Sequence, residues 1–127
     1  MYIDPITIRK RKKLTEILKA LKTADYQAFI SKAEDSAYGM VEKDGHIVGI
    51  HGAPYGMGLR LSYHYRPNKN HGSGVGYGDP DLEYSSVTEA DIRECIRYGA
   101  GYVAMHKLQR YQDVQEFLNH YDLYVPI

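Results

Sequence analysis

Apolar positions along this chain change period twice. Leu14, Ile17, Leu18 and Leu21 recur at i, i+3, i+4 and i+7, one helical stripe. Asp4-Pro5 upstream offers an N-cap followed by a proline suited to the first helical position. Thr23 interrupts the stripe and can cap a second helix, in which Tyr26, Phe29, Ile30 and Ala33 repeat the spacing. Residues 1–35 therefore read as an N-terminal αα-hairpin.

From Ala37 the period falls to two. Ala37 to Lys43 and His46 to His51 flank Asp44-Gly45, a dipeptide favoured by type I′ turns because both central residues take positive φ. That turn sets Lys43 against His46, Val41 against Val48 and Gly39 against Ile50. Val41, Val48 and Ile50 then share the core face, with Tyr38, Met40, Glu42, Ile47 and His51 on the other. A Gly/Pro-rich connection, "GAPYGMG", leads to a strand from Leu59 to Arg66. There Leu59, Leu61, Tyr63 and Tyr65 line one face, and Arg60, Ser62, His64 and Arg66 the other. Pro67 ends it, "NKNHGSG" is turn chemistry, and Val75-Gly76-Tyr77 is a short returning strand. Residues 36–84 thus hold a small antiparallel sheet of three to four strands with a Gly-rich loop.

Helical spacing returns in residues 85–127. Ser86-Val-Thr-Glu89 fits a capping box, and Ile92, Cys95, Ile96 and Gly99 form the inner stripe of the helix behind it. Tyr98-Gly99-Ala100-Gly101 stops or kinks that helix, and residues 102–108 fit helix and strand equally well. Val114, Phe117, Leu118 and Tyr121 mark a last helix before an extended "LYVPI". The expectation is an α+β fold in one domain, residues 1–127: αα-hairpin, small sheet, C-terminal helices and extended tail.

Composition sharpens this only in places. The chain is 43% apolar and 25% charged, in the globular range, and no apolar run nears the length of a membrane span. The start lacks a secretory leader and Cys95 is the single cysteine, which points to the cytoplasm and excludes an internal disulfide. Sixteen basic and sixteen acidic side chains cancel, so no global field favours nucleic acid. The run Arg9-Lys10-Arg11-Lys12-Lys13 reads as a solvated helix face, with a phosphate or acidic-partner contact as the alternative. Thirteen tyrosines against two phenylalanines and no tryptophan suggest half-buried rings and interfaces. A homo-oligomer is expected on that ground, a dimer first.

Candidate chemistry is sparse. "HGSGVGYG" lacks both the Gly-Lys-Ser/Thr ending of a Walker loop and the directly following helix of a dinucleotide fingerprint, so it reads as a flexible tip. Four histidines, at 46, 51, 64 and 71, fall in the sheet region without metal-ligand spacing, and no metal or cofactor is implied. Cys95 sits on an inner stripe, the serines show no nucleophile elbow, and the paired carboxylates Asp79 and Asp81 lie in a turn. No catalytic residue is assigned. The row Arg60, Ser62, His64, Arg66 has the pattern of an ordinary solvated sheet face, yet it gathers donors without a carboxylate. Tyr38 and His51 share that face, and His71 sits at the tip beyond it. These seven residues form the candidate ligand site.

The expectation is a non-enzymatic binding protein that occupies a protein partner or sequesters a ligand. In size, tyrosine richness and lack of motifs it resembles accessory proteins of phages and mobile elements that inhibit host machinery. The second reading is a protein that binds a nucleotide or phosphorylated small molecule through the polar row. A third is a small hydrolase or transferase with His64 or His71 as general base.

Overall fold

The computed structural model of the chain describes residues 4–53, 56–78 and 83–127. The turn carboxylates Asp79 and Asp81, with part of the "GAPYGMG" connection, lie outside the described residues.

Helix α1 spans Pro5–Thr23, capped by the Asp4 carboxylate, which accepts from the Ile6 amide at 3.0 Å. Its buried stripe is the expected Leu14, Ile17, Leu18 and Leu21, extended by Lys10. Asp25, at φ 68°, then turns the chain into strand β1, Gln27–Ser31. The expected second helix is therefore absent, and with it the αα-hairpin. The physical reason lies in where β1 runs. It is an interior strand with both faces covered, so Ala28, Phe29 and Ile30 are all buried and no alternation marks it as a strand. Tyr26, Phe29, Ile30 and Ala33 matched helical spacing by coincidence.

Six strands form one antiparallel sheet in the order β5-β4-β3-β2-β1-β6, two more than the upper expectation. Strands β2 (Tyr38–Lys43) and β3 (His46–Gly52) pair in the expected register, Val41 against Val48 and Gly39 against Ile50. Asp44 and Gly45 take φ of 54° and 83°, as a type I′ turn requires. Strand β4 (Leu59–Asn68) alternates as read, with Leu59, Leu61, Tyr63 and Tyr65 buried, but it continues through Pro67 past an irregularity in its pairing. Strand β5 (Gly72–Gly76) occupies much of the expected Gly-rich loop. Its glycines at 72, 74 and 76 follow strand period, so they clear one face of an edge strand.

Helix α2 (Glu89–Met105) starts from a capping box built by Thr88 and Asp91, two residues later than expected. It runs straight through Gly99-Ala100-Gly101. Gly99 is there for a close approach: a β-carbon would enter the Tyr63 ring. Of the ambiguous residues 102–108, Tyr102–Met105 are helical, and Lys107 leaves the helix at φ 55°. Helix α3 (Val114–His120) and strand β6 (Tyr124–Pro126) match the expected last helix and extended tail, with β6 pairing to β1. Among the described residues, no helix is long and apolar enough to cross a membrane.

Two apolar layers result. Helices α1 and α2 pack on one sheet face over Val41, Val48, Ile50, Leu61 and Tyr63. On the other face Phe117 of α3 packs with Tyr111 over Phe29, Met40 and Ile47. The basic run is only in part the solvated face expected of it: Arg9 and Lys12 are exposed, but Lys10 and Arg11 are not free. Lys10 is 8% exposed, and its Nζ donates to the Ala53 carbonyl at 2.7 Å. Arg11 Nη1 donates to Ser31 Oγ at 2.9 Å and to the Ala33 and Ser36 carbonyls, while Nη2 reaches the Ser31 carbonyl. Lysine and arginine stems bury well when their heads find acceptors, and the loops beside α1 supply carbonyls. The tyrosines are also largely used within the chain. Tyr26, Tyr63, Tyr65 and Tyr111 are buried, and of those described only Tyr38 and Tyr98 are exposed. The tyrosine count consequently lends little to the expected dimer.

Candidate ligand-binding site

Strand pairing sorts the outer sheet face into three rows. Tyr38, His51 and Arg60 are direct cross-strand neighbours, as are Met40, Gly49, Ser62 and Gly76. His64 lies one step further, opposite Ile47 on one side and Gly74 on the other. Five of the seven candidates, Tyr38, His51, Arg60, Ser62 and His64, are thus brought together.

The other two are drawn elsewhere. Arg66 forms a fork with Glu116 of α3, Nε to Oε1 at 2.6 Å and Nη2 to Oε2 at 2.8 Å, while Nη1 reaches Gln109. The pair holds the Glu116 carboxyl below its ordinary range, chiefly through the hydrogen bonds from Arg66. Here arginine pins the helix that covers the sheet. His71 belongs to the opposite side of β4: its ring lies 5.0 Å from that of His106 at the end of α2, and its carbonyl accepts from the buried Tyr65 hydroxyl.

His64 is the most perturbed member. Burial, then the charge of His51, lowers its value from the ordinary 6.5 to about 4, so the imidazole is neutral at physiological pH. The Ser73 main chain lies close enough to favour the charged form slightly, but Nδ1 makes no hydrogen bond of normal geometry. Nε2 stands 3.4 Å from Ser62 Oγ. The ring is laid along the sheet, between Gly49 and Gly74, with the Phe117 ring 5.3 Å above it. His51 is also lowered, by burial first and by Arg60 second. Arg60 itself stands 3.6 Å from Glu83.

Between α3, the segment after it and the sheet opens a cavity of about 530 Å³. Its walls are largely carbon: Tyr38 and His64 from the sheet, Phe117, Tyr121 and Tyr124 from the chain's last elements. Serines 31, 36 and 73 supply hydroxyls, and its charged lining residues, Lys32 and Asp122, pair with each other at 2.6 Å. Burial pushes the Tyr124 hydroxyl upward as well, with smaller contributions from Tyr38 and Tyr121, so that ring too stays neutral. The cavity lies in the size range of small-molecule sites, roughly 300–1,000 Å³, and shares their apolar character.

Most of these walls escaped the sequence. Residues 114–121 showed a helical stripe, but a stripe does not say which sheet face it covers, and Ser31, Ser36 and Ser73 carry no pattern at all. Tyr38 and His64 were identified, because strand parity placed them. Among the described residues no three metal-binding side chains converge, and Cys95 is buried with its thiol pushed up to about 12 by that burial. No family model, no curated protein and no solved structure matches this chain.

Proposed function

We propose that this protein is a non-enzymatic binding protein that sequesters a small molecule in the cavity between α3 and the outer face of the sheet. One observation carries the reading: a cavity of about 530 Å³ walled by rings from four separate elements of the chain, with its charged residues already paired. Apolar pockets of this kind hold ligands by burial, with a few placed polar groups setting orientation.

The two other readings draw less support from the geometry around Arg66 and His64. A phosphate site on β4 that uses both guanidinium groups is opposed by Arg66, which is taken up by the fork to Glu116. A general base needs a value near the working pH and a group that orients it. Burial holds His64 down at about 4, and its side-chain hydrogen-bond neighbour is Ser62 rather than a carboxylate.

Native mass spectrometry of the purified protein beside Ala33→Trp tests the proposal. Ala33 is exposed on the cavity wall, so a bulky ring there fills the space without entering the core. A co-purifying small molecule on the wild type, absent from a folded Ala33→Trp variant, supports the reading; an equal load on both proteins contradicts it.

A further inference from the structure

We propose that the ligand of this cavity is an uncharged, planar aromatic molecule that carries a hydrogen-bonding oxygen. The inference rests on the cavity being a ligand site and adds the chemistry of what enters it.

The walls argue for a flat ring. Phe117 stands at the centre of a fan of aromatic side chains, with His64, Tyr121 and Tyr124 at centroid distances of 5.3, 5.2 and 6.0 Å. The interplanar angles of 46°, 42° and 37° splay these rings apart, and all four line the cavity. Aromatic surfaces at such angles are met best by another ring, which gains contact in offset or edge-to-face geometry.

Charge argues for neutrality. Lys32 and Asp122 neutralise each other as a pair, so an ionic ligand would leave water and have to compete for its counter-charge. The Arg11 guanidinium, bonded to residues that line the cavity, spends its Nη1 and Nη2 on Ser31, Ala33 and Ser36.

Hydroxyl chemistry argues for an oxygen on the ring. Ser31 Oγ receives Arg11 Nη1 at 2.9 Å and the Ser36 hydroxyl at 3.0 Å, while its own proton has two long choices, the Ala33 and Ser36 carbonyls, both at 3.3 Å. A hydroxyl that accepts from a guanidinium is a stronger donor, and a ligand oxygen offers it a shorter bond. Ser73 Oγ likewise accepts from the Tyr121 hydroxyl at 2.8 Å, and no acceptor for its own proton is found among the described residues. The cavity therefore presents donors to an aromatic body.

Calorimetric titration with three shape-matched probes, naphthol, naphthalenesulfonate and decahydronaphthol, tests this on wild type and on Ala33→Trp. Naphthol is expected to bind about tenfold more tightly than the sulfonate, whose charge would be unpaired. Its margin over the saturated analogue is expected to be about fivefold, the contribution of ring contacts. Ser36→Ala should reduce naphthol affinity by about fivefold, through loss of the hydroxyl that supports Ser31. If the sulfonate or decahydronaphthol binds as tightly as naphthol and Ala33→Trp abolishes that binding, the cavity is a ligand site and the aromatic inference is overturned. If none of the probes binds wild type, or Ala33→Trp changes nothing, the cavity reading falls and takes the inference with it.

Discussion

His64 rests its imidazole in the space that Gly49 leaves vacant on the neighbouring strand. A β-carbon at position 49 would stand 2.7 Å from His64 Nε2 and 2.9 Å from Ser62 Oγ, too close for either to stay. On the other side, a β-carbon at Gly74 would stand 3.2 Å from Nδ1. The glycines thus create the berth in which a neutral histidine lies flat under Phe117 and floors the cavity. Gly49→Ala should displace the ring and change the cavity floor while leaving the α1 core intact. Loss of probe binding with little change in far-ultraviolet circular dichroism is the expected result.

Acid should expose the cost of that berth. The folded value of His64 lies below its ordinary 6.5, so its contribution to stability is present above 6.5 and is lost as pH falls towards about 4. Between about pH 7 and pH 5 linkage gives a loss of roughly 2 kcal/mol from this group. Glu116, whose value is lowered by Arg66, loses its contribution too, but below the ordinary carboxylate 4.5 and so in a lower window. His51 and His46, lowered by burial as well, act in the same window, so urea midpoints of His64→Gln should fall less steeply between pH 7 and pH 5 than those of wild type and keep their fall at lower pH. An unchanged slope in the variant would assign the loss to other groups.

The glycines of α2 make opposite predictions. At Gly101 a β-carbon meets open space, so Gly101→Ala should stabilise the helix by about 0.5–1 kcal/mol. At Gly99 it would enter the buried Tyr63 ring, and Gly99→Ala should destabilise by about 2 kcal/mol in spite of the same helical gain. Thermal melts of the two variants check the sign.

The basic run divides in the same way. Lys10→Gln withdraws a buried ammonium from the Ala53 carbonyl and should cost about 1–3 kcal/mol. Lys12 is exposed, and Lys12→Gln should stay within about 0.5 kcal/mol of wild type. Equal melting temperatures for the two variants would return the whole run to the solvated surface.

Arg66 should govern α3 rather than a ligand. Arg66→Lys keeps the charge but removes the fork to Glu116, so amide exchange in Val114–His120 should quicken while that of Ile47–Ile50 stays slow. Unchanged protection of α3 would show that Phe117 and Tyr111 hold the helix without the ion pair.

What the chain revealed in advance follows from which interactions are local. Asp44-Gly45 fixed a register, and strand parity then placed Tyr38, His51, Arg60, Ser62 and His64 on one face. The misread elements were those decided by distant partners. β1 has apolar residues on both faces because α1 and α3 cover it from opposite sides, and β6 reaches its edge from the far end of the chain. Lys10 and Arg11 looked solvated because their acceptors, the Ala53 and Ser31–Ser36 carbonyls, come from loops whose approach to α1 carries no sequence pattern. The cavity was illegible for the same reason: its serines and rings are scattered over residues 31–124 and meet only once α3 crosses the sheet.

Two-dimensional amide NMR of the labelled protein during titration with naphthol tests the central claim most directly, because it reports where a ligand sits. Shifts that saturate together and cluster on Ser31 to Tyr38, Ser73 and Phe117 to Tyr124 are the predicted result. Shifts confined to the α1 and α2 side of the sheet, or no saturable shifts at all, would contradict a ligand site beneath α3.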